Sequence, residues 1–366
     1  MGKVASGPPP EKQLTLSSLI SPRLGRQDTP DEPYAWESRE HLRKKLIGKD
    51  VVFRVDYTVP SIAREFGTVY LKSADGQPPE NVSLLVVANG LCKVRESSGQ
   101  QAASPDYDEL MRLQEDAQQK GLGLWSKEPN AAAIRTVPTD AIDGMALLES
   151  SKGKALPGVV EAVLNGSTVK MTLLPDFHTV TVVVAGIQSP SMGRRPAAPP
   201  PTAEGEVTAL PAAPVPDPFA REAKHFSECK VLNREVRVVL QGVDKFSNLF
   251  GSLYHADCEQ PVDLAEQLCR LGMAKVVDWS AQMLGKGGAE KLRLAERAAK
   301  EQRLRIWRDY VPPPKNSSPI LSDSFVGKVA EVFSGDTLIV RDAASGLERR
   351  VCLSSIRAPR GGNPRR

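Results

Sequence analysis

A row of basic side chains near residue 300, and a second group near residue 350, have the chemistry to hold phosphate oxygens. Guanidinium and ammonium groups form charge-assisted hydrogen bonds with phosphate, and a nucleic-acid backbone presents phosphates at regular spacing. The candidate nucleic-acid-binding residues are Lys291, Arg293, Arg297, Lys300, Arg303, Arg305, Arg349, Arg350, Arg357 and Arg360. The alternative for the first group is an amphipathic helix with a solvated basic face, because apolar residues recur at helical spacing from Leu292 to Ile306.

One carboxylate stands in a turn from which it could bind a metal ion. Asp336 follows Ser334-Gly335 and precedes an alternating strand, and carboxylates are the usual ligands of hard cations such as Ca²⁺. Aspartate also favours turns because its side chain hydrogen-bonds to the nearby backbone. The turn role is the simpler interpretation, and the metal role makes Asp336 the one catalytic candidate.

Composition places the chain among ordinary globular proteins. Of its 366 residues, 40% are hydrophobic and 25% are charged, and the net charge is only +4. No run approaches the ~18 apolar residues of a membrane span, and the N-terminus lacks the apolar core of a signal peptide. Five cysteines without a C-x-x-C pair predict reduced, buried thiols rather than disulfides or zinc ligands. We therefore expect a cytoplasmic or nuclear protein.

The chain repeats one structural unit. Its complete copy runs from Gly158 to Tyr310 and contains a hairpin turn at Asn165-Gly166, further strands, and two helices. This order predicts one small barrel with flanking helices. DEPYAWESREHLRKKLIGKDVVFRVDY (31–57) matches PDPFAREAKHFSECKVLNREVRVVLQG (216–242) in pattern. Both copies are predicted to end with an amphipathic helix that carries a tryptophan, and a third copy opens with VGKVAEVFSGDTLIVRD.

The repeat predicts a first domain (1–128), a linker (129–157), a second domain (158–312) and the start of a third (325–366). Residues 194–216, rich in proline and alanine, cannot bury enough apolar surface to fold, and we predict a disordered insertion there. The first copy lacks the opening hairpin of the others, which predicts an exposed strand edge and exposed apolar surface. We expect a truncated or mis-spliced chain, and the alternative is that the natural protein also lacks this hairpin.

Three motifs and a final tryptophan carry a family resemblance. They are G-x-V-x-x-V-x-x-G-[DS]-T-[LV], [IL]-x-x-P and F-G-x-[VL]-Y, and they resemble the staphylococcal-nuclease-like domain, a five-stranded OB-type barrel with helices. Tandem copies carrying PPPEKQLTLSSL and EKLRLAERAAKEQRLRIWRDYV resemble the Tudor staphylococcal-nuclease family, especially its plant-type members. The resemblance implies an α+β, β-rich fold of tandem OB-fold barrels with flanking helices.

The family resemblance also implies a set of partners. The family has four such domains, a Tudor domain and a partial fifth domain, and it is associated with RNA silencing, turnover of structured RNA and stress granules. It implies RNA, silencing-complex proteins and stress-granule proteins as partners, no membrane, and a location in cytoplasmic ribonucleoprotein granules and also the nucleus. The Tudor part is absent from this sequence, so methyl-arginine binding is not implied.

The motif pattern of the bacterial nucleases that this family resembles implies a Ca²⁺ site built from carboxylates. It also implies two arginines that stabilise charge on the phosphate. At the corresponding positions the second copy has Ser167, Val183, Gln188, Ser191 and Ser252. The first copy has Thr15, Ile20, Arg23 and Thr68. The third copy keeps Asp336 and replaces two carboxylates by Arg357 and Arg360. The resemblance therefore implies a catalytically degenerate segment.

Three functions remain open from the sequence. The first is an RNA-binding module that contacts the backbone of double-stranded or structured RNA, since few aromatic residues are available to stack on bases. The second is a Ca²⁺-dependent ribonuclease of structured RNA within the RNA-induced silencing complex, which uses residues outside the familiar positions. The third is a protein-interaction scaffold. Ca²⁺ is an expected cofactor only for the ribonuclease.

Overall fold

The chain forms two compact units, Met1–Tyr310 and Val311–Arg366. The structure is a computed structural model, and it describes residues 7–25, 29–72, 77–96, 104–127, 135, 143–193, 215–244, 248–257, 260–311, 326–343 and 348–356. Arg357, Arg360 and residues 194–214 of the predicted insertion lie outside these ranges. The predicted domain boundaries within the first unit stay predictions.

The first repeat is an open sheet with helices. Its elements are β1 (Leu14–Leu16), β2 (Leu19–Ile20), α1 (Ala35–Leu46), β3 (Val51–Val59), β4 (Arg64–Leu71), β5 (Glu80–Asn81), α2 (Val82–Ala88), β6 (Lys93–Val94) and α3 (Tyr107–Lys120). β4 pairs in parallel with β1 and antiparallel with β3 and β5, and β2 pairs with β6. A short helix, α4 (Gly144–Ser150), follows in the predicted linker.

The second repeat is a closed barrel. Its elements are β7 (Ala155–Asn165), β8 (Thr168–Leu173), β9 (Thr179–Val184), β10 (Ile187–Gln188), α5 (Ala220–Val231), β11 (Glu235–Val243), β12 (Leu249–Asp257), β13 (Gln260–Asp263), α6 (Leu264–Arg270), β14 (Lys275–Val276), α7 (Asp278–Ala281) and α8 (Gly285–Glu301). Five strands follow one another in the order β11-β7-β8-β9-β12, and β12 pairs back onto β11. The predicted OB-type barrel is therefore confirmed.

The barrel interior is filled by alternate residues of its strands and by the apolar faces of its helices. Met171 from β8, Leu253 from β12, Leu268 from α6 and Leu292 from α8 are all almost fully buried. Side chains alternate across a strand and recur every three to four residues along a helix. One apolar core therefore holds the hairpin β7–β8 and the helices in fixed positions.

The first repeat matches only part of the second. β1, α1, β3 and β4 correspond to β9, α5, β11 and β12, and the parallel pairing of β1 with β4 repeats that of β9 with β12. In the second barrel β7 covers the free side of β11. Among the described residues no strand pairs with the same edge of β3, and the side chains of Val51, Val52 and Phe53 are exposed.

The second unit contains β15 (Gly327–Ser334), β16 (Thr337–Asp342) and β17 (Glu348–Cys352). They form an antiparallel sheet in sequence order, as β7, β8 and β9 do in the second repeat. The sheet gives the third copy the opening strands of a barrel. Across the described parts of both units, none of the helices has both the length and the apolar character needed to cross a membrane.

The predicted ends of the terminal helices are wrong. α8 ends at Glu301, and Arg303 takes a left-handed backbone conformation with φ of 51°. The chain then forms a short 3₁₀ helix, Arg305–Trp307. α3 likewise ends before Gly121, which has φ of 62°. Because a left-handed residue ends a helix, each tryptophan lies on a separate 3₁₀ turn, and Arg303 and Arg305 lie beyond α8.

The prediction of buried thiols is correct for two cysteines and wrong for two. Cys92 and Cys269 are buried, and burial raises the pKa of both thiols. Cys229 and Cys352 are exposed. Cys229 lies on the outer side of α5, whose buried positions are Ala220, Ala223, Ser227 and Val231. Residue type alone does not show whether a cysteine lies on the buried or the exposed face of its helix or strand. The exposure of Cys229 and Cys352 was therefore not predicted.

The two repeats of the first unit contact each other through α1. Arg39 Nη1 and Nη2 donate to Glu161 Oε1 and Oε2 at 2.9 and 2.5 Å. The Trp36 ring meets the edge of Phe177 with centroids 5.2 Å apart. Arg43 Nη1 donates to the backbone oxygen of Asn233 at 3.2 Å. A bidentate ion pair of this kind fixes orientation as well as distance.

Candidate nucleic-acid interface and nuclease positions

The hairpin turn of the second barrel carries a network of neutral hydrogen bonds. Asn165 Oδ1 accepts from the backbone N–H of Ser167 at 2.9 Å and from Ser189 Oγ at 3.2 Å. The two serine hydroxyls lie 3.1 Å apart, and the backbone N–H of Ser189 donates to Ser167 Oγ at 3.1 Å. Both serines are buried. The position of the first nuclease carboxylate is therefore occupied by a hydroxyl that is already fully engaged.

Helix α5 covers this turn. Ser227 Oγ donates to the backbone oxygen of Gly166 at 2.7 Å. A Cβ atom added at Gly166 would lie 2.9 Å from the Cβ atoms of both Ala223 and Ser189, which is closer than real side-chain contacts allow. The turn needs glycine because the helix packs directly on it. The helix that follows the insertion thus packs directly on the turn, and the two serines of the network are buried while Asn165 is half-buried.

The remaining nuclease positions of the second barrel carry no charge. Val183 is half-buried and lies on the face of β9 opposite the core residues Val182 and Val184. Gln188 and Ser191 are exposed, and Ser252 is buried with its Oγ 3.4 Å from Gln241 Nε2. Calcium takes six to eight oxygen ligands, usually with several carboxylates. Neutral hydroxyls that bond to one another cannot supply that set. These residues do not fit a Ca²⁺ ion.

The first repeat places one buried carboxylate at the corresponding end of its sheet, and the sequence analysis missed it. Asp56 Oδ2 accepts from Ser17 Oγ at 2.7 Å and from Thr68 Oγ1 at 3.0 Å, while Oδ1 accepts from Arg54 Nε at 3.0 Å. A bulge in the β3–β4 register at Val55 and Tyr57 turns Asp56 inward. Its charge is compensated within the sheet. Of the other positions, Thr15 is half-buried, while Ile20 and Arg23 are exposed.

The third repeat uses Asp336 within its own turn. Asp336 Oδ1 accepts from Ser334 Oγ at 2.6 Å and from Thr337 Oγ1 at 3.2 Å, and its backbone oxygen accepts from Leu353 N at 2.8 Å. These contacts are those of a turn aspartate. Arg349 and Arg350 are neighbours on β17, so their side chains leave opposite faces of the sheet, and the structure does not bring them together.

Most of the predicted basic residues near α8 are already paired. Lys291 Nζ lies 2.6 Å from Glu266 Oε2 and Arg293 Nη2 lies 2.8 Å from Asp278 Oδ1. Lys300 pairs with Glu296 at 2.7 Å and lies 4.3 Å from the centre of the Trp307 ring. The hydrogen bond to Glu266 raises the pKa of Lys291. These cations therefore stay charged, but an acidic partner neutralises each of them.

Arg305 also has a structural partner. Its Nη1 donates to the backbone oxygen of Leu271 at 2.7 Å, which ties the 3₁₀ turn to the end of α6. Arg297 and Arg303 differ from the rest of the group. Both are exposed, and neither side chain has an ion pair or hydrogen bond with another described residue. Of the predicted basic residues near α8, these two are the ones that the described residues leave available for an external phosphate.

An exposed tryptophan lies at the start of this basic surface. Trp279 on α7 is 55% exposed, and its ring meets the edge of Phe250 with centroids 5.3 Å apart. Its neighbour Asp278 pairs with Arg293, one helical turn before Arg297. Exposed aromatic rings can stack on nucleic-acid bases. The sequence analysis did not single out Trp279, because the chain contains few aromatic residues and because the exposure of a side chain depends on tertiary packing.

The chain matches known proteins over nearly its whole length. Residues 13–127 and 181–309 match the family described as "Staphylococcal nuclease homologue". The chain is 48% identical over 402 residues to "Ribonuclease TUDOR 2" of Arabidopsis thaliana, covering 99% of this chain and 40% of that protein. It is 39% identical over 362 residues to "Staphylococcal nuclease domain-containing protein 1" of Drosophila melanogaster, covering 96% of this chain and 36% of that protein.

A second Arabidopsis thaliana relative, "Ribonuclease TUDOR 1", is 47% identical over 400 residues, with 99% of this chain and 40% of that protein covered. The chain therefore spans about two fifths of the length of these relatives. The barrel topology, the repeated strand and helix order and these matches agree. The chain belongs to the staphylococcal nuclease homologue family, as a plant-type member of the Tudor staphylococcal-nuclease group.

Proposed function

We propose that this segment is an RNA-binding module whose described nuclease-like repeats do not cleave RNA. Its role would be in RNA silencing, RNA stability and ribonucleoprotein assembly, with silencing-complex and stress-granule proteins as partners, in cytoplasmic granules and the nucleus. One observation carries the proposal. Relatives named ribonuclease belong to the same family, while the turn that should hold a metal carboxylate holds a hydrogen-bond network between Asn165 and the buried Ser167 and Ser189.

The geometry supports a small binding surface rather than a whole basic helix. Arg297 and Arg303 supply positive charge that no described residue neutralises, and Trp279 offers an exposed ring near the same helix. The proposed ligand contacts are two phosphates and one stacked base. Such a surface favours RNA with at least one unpaired nucleotide over a perfect duplex, because bases within a duplex are already stacked.

Replacing Arg297 and Arg303 by alanine is expected to weaken RNA binding most at low salt. Each lost phosphate contact reduces the slope of log K against log salt by about 0.7 for a single strand, so the double variant should lose about 1.4. The measurement is a fluorescence-anisotropy titration of a labelled RNA hairpin at several salt concentrations. The matched control removes Lys120 at the end of the acidic helix α3 and Lys127 shortly after it, two exposed cations, and should keep the slope.

Trp279→Ala separates stacking from charge in the same titration. Stacking on an aromatic ring contributes about 1–3 kcal/mol per base, so affinity for the single-stranded loop should fall roughly 5- to 150-fold. The salt slope should stay that of the unchanged chain, because no phosphate contact is removed. Salt-independent binding by the unchanged chain, or equal losses in the α3 control, would contradict the proposal.

The second candidate function is a Ca²⁺-dependent ribonuclease, because the word ribonuclease in the names of two relatives favours RNA cleavage. We expect no RNA cleavage above background, and no difference between added calcium and added chelator. The reason is that losing a general base and a charge-stabilising donor each lowers a rate by about 10² or more. Cleavage that stops with chelator and with Asp336→Ala would establish the ribonuclease instead.

A further inference from the structure

The outer edge of β3 is an unpaired strand edge with apolar side chains. β4 pairs with one edge of β3, and among the described residues no strand pairs with the other. Val51, Val52 and Phe53 are 39%, 48% and 48% exposed. β3 also contains no proline or lysine, the residues that often block pairing at a strand edge. Its free N–H and C=O groups are therefore a template for a further strand.

The second barrel shows which kind of strand this edge can accept. β3 corresponds to β11, and the equivalent edge of β11 pairs antiparallel with β7 at residues 235–239. The match between the two repeats places these positions at residues 50–54, with the sequence DVVFR. This edge segment precedes the bulge in the β3–β4 register between Val55 and Tyr57. A short antiparallel strand therefore fits the edge segment without distortion of β3.

The backbone groups of the edge segment point alternately towards β4 and outwards. The backbone oxygen of Asp50 accepts from Lys72 N at 3.2 Å, on the β4 side. Because successive residues of a strand direct their backbone groups to opposite edges, those of Val52 also face β4. The N–H and C=O groups of Val51 and Phe53 then face outwards. Val52 thus lies between two residues that can hydrogen-bond to an incoming strand.

The edge segment is complementary to a second copy of itself. In an antiparallel pair centred on Val52, Asp50 of one copy lies opposite Arg54 of the other copy. Val51 lies opposite Phe53, and these residues exchange main-chain hydrogen bonds on both sides of the axis. Val52 lies opposite its own counterpart. Opposite charges at the ends and apolar side chains between them are both favourable across neighbouring strands.

The charges also select this register. The Asp50 side chain is exposed and has no ion pair or hydrogen bond with another described residue. Arg54 donates to Asp56 through Nε at 3.0 Å, so its two terminal nitrogens can reach a second carboxylate. Registers that keep the hydrogen-bonding phase but move the centre by one residue place Asp50 opposite Val52 or opposite Asp56. Both registers lose the pair with Arg54, and the second brings like charges together.

We propose that two copies of this chain form a symmetric dimer by antiparallel pairing of their β3 edges, centred on Val52. The same surface of each copy contacts its counterpart, and such an isologous interface closes as a dimer instead of growing into a fibre. The second copy is the occupant that the edge segment favours, because this segment carries both partners of its own cross-strand ion pairs. The dimer joins two open sheets into one continuous sheet and covers both apolar edges.

Sedimentation velocity of the full chain over a range of concentrations, under reducing conditions, tests the proposal. We expect a reversible dimer with a dissociation constant in the micromolar range, as for interfaces below about 1,200 Å². Val52→Lys should weaken the dimer about tenfold or more, because it places like charges directly opposite each other only in the dimer. Leu164→Lys is the matched control: Leu164 is 49% exposed on β7 of the second barrel, and the dimer should persist.

Cysteine scanning tests the register. Three native cysteines that are exposed or lie outside the described residues are first replaced by serine: Cys229, Cys258 and Cys352. Val52→Cys should then form an intermolecular disulfide on mild oxidation, because facing Cα atoms at a position without hydrogen bonds are about 4.5 Å apart. Val51→Cys and Phe53→Cys should form little, since each residue and its own counterpart are diagonal neighbours about 7–8 Å apart.

Circular dichroism of each variant separates loss of the dimer from loss of the fold. The proposal is overturned if the unchanged chain stays monomeric at every concentration, or if folded Val52→Lys dimerises as tightly as the unchanged chain. It is also overturned if Leu164→Lys loses the dimer to the same extent. Equal cross-linking of Val51→Cys and Val52→Cys would contradict the register and the symmetric pairing with it.

Discussion

Asp31→Ala is expected to lower the free energy of unfolding of the Met1–Tyr310 unit by about 3–5 kcal/mol. Asp31 is the acceptor of a buried ion pair, and its side chain is 2% exposed while that of Arg135 is 9% exposed. Arg135 Nε and Nη2 donate to its two oxygens at 3.0 Å each. Removing the carboxylate leaves a buried guanidinium without its counter-charge, which is among the most costly single changes in a folded protein.

Two further contacts of this pair enlarge the effect. Asp31 Oδ1 also accepts from the backbone N–H of Gly25 at 2.6 Å, which would lose its acceptor. Arg135 lies over the Trp36 ring at 5.1 Å, and Trp36 contacts Phe177 of the second repeat. The ion pair therefore positions the ring through which the repeats meet. The loss should appear in urea-induced unfolding followed by tryptophan fluorescence.

A double variant distinguishes charge burial from simple loss of contacts. Asp31→Ala with Arg135→Ala leaves no unpaired charge, so it should be more stable than Asp31→Ala alone, with a coupling free energy of about 1–3 kcal/mol. Glu109→Ala is the control, because its pair with Arg112 is exposed, and unfolding should be unchanged. A loss below about 1 kcal/mol for Asp31→Ala would mean that water reaches this pair.

The strands of the second barrel were predictable because local and periodic signals agree there. Asn165-Gly166 marks the turn between β7 and β8, and alternation between apolar and polar residues marks the strands on either side. One of the two helices predicted for this copy is likewise present as α5, which runs from Ala220 to Val231. The end of α8 was not predictable, since nothing in Arg303 as a residue type signals a left-handed backbone.

The candidate interface was less predictable because it depends on contacts between distant residues. Sequence spacing groups Lys291 with Arg297, but it does not show that Glu266, 25 positions earlier, neutralises the first and leaves the second unpaired. The exposure of Trp279 likewise depends on contacts between residues that are distant in the sequence. Substitution at the nuclease positions was visible from residue types alone. The hydrogen-bond network that takes the place of the carboxylate was not predictable, because it depends on the packing of α5 on the turn.

Ser167→Asp is the sharpest test of that replaced site, because it restores the carboxylate that the bacterial pattern requires. We expect a loss of roughly 3–4 kcal/mol in the free energy of unfolding, as for a buried carboxyl whose pKa is raised by about three units. The new group would face Asn165 Oδ1, an acceptor only 3.3 Å from the present Ser167 Oγ. Turning the Asn165 amide around would sacrifice its bond from the Ser167 backbone N–H.

The dependence on pH identifies the cause. An aspartate with a raised folded-state pKa is neutral in both states at low pH, so the deficit should nearly vanish below about pH 4. The deficit should grow as pH rises above the unfolded-state pKa, and it should level off above the folded-state value. Ser167→Ala is the matched control, with a pH-independent loss of about 1 kcal/mol for its hydroxyl hydrogen bond.

Calcium provides the decisive comparison on the Ser167→Asp variant. A metal site completed by the new carboxylate would bind the ion only in the folded state and would raise the melting temperature with increasing calcium. We expect no such shift, because Gln188 and Ser191 supply no further carboxylates and Ser189 is committed to Asn165. Calcium-dependent stabilisation of the variant would show that one substitution separates this barrel from a metal-binding nuclease, and the degenerate interpretation would then be wrong.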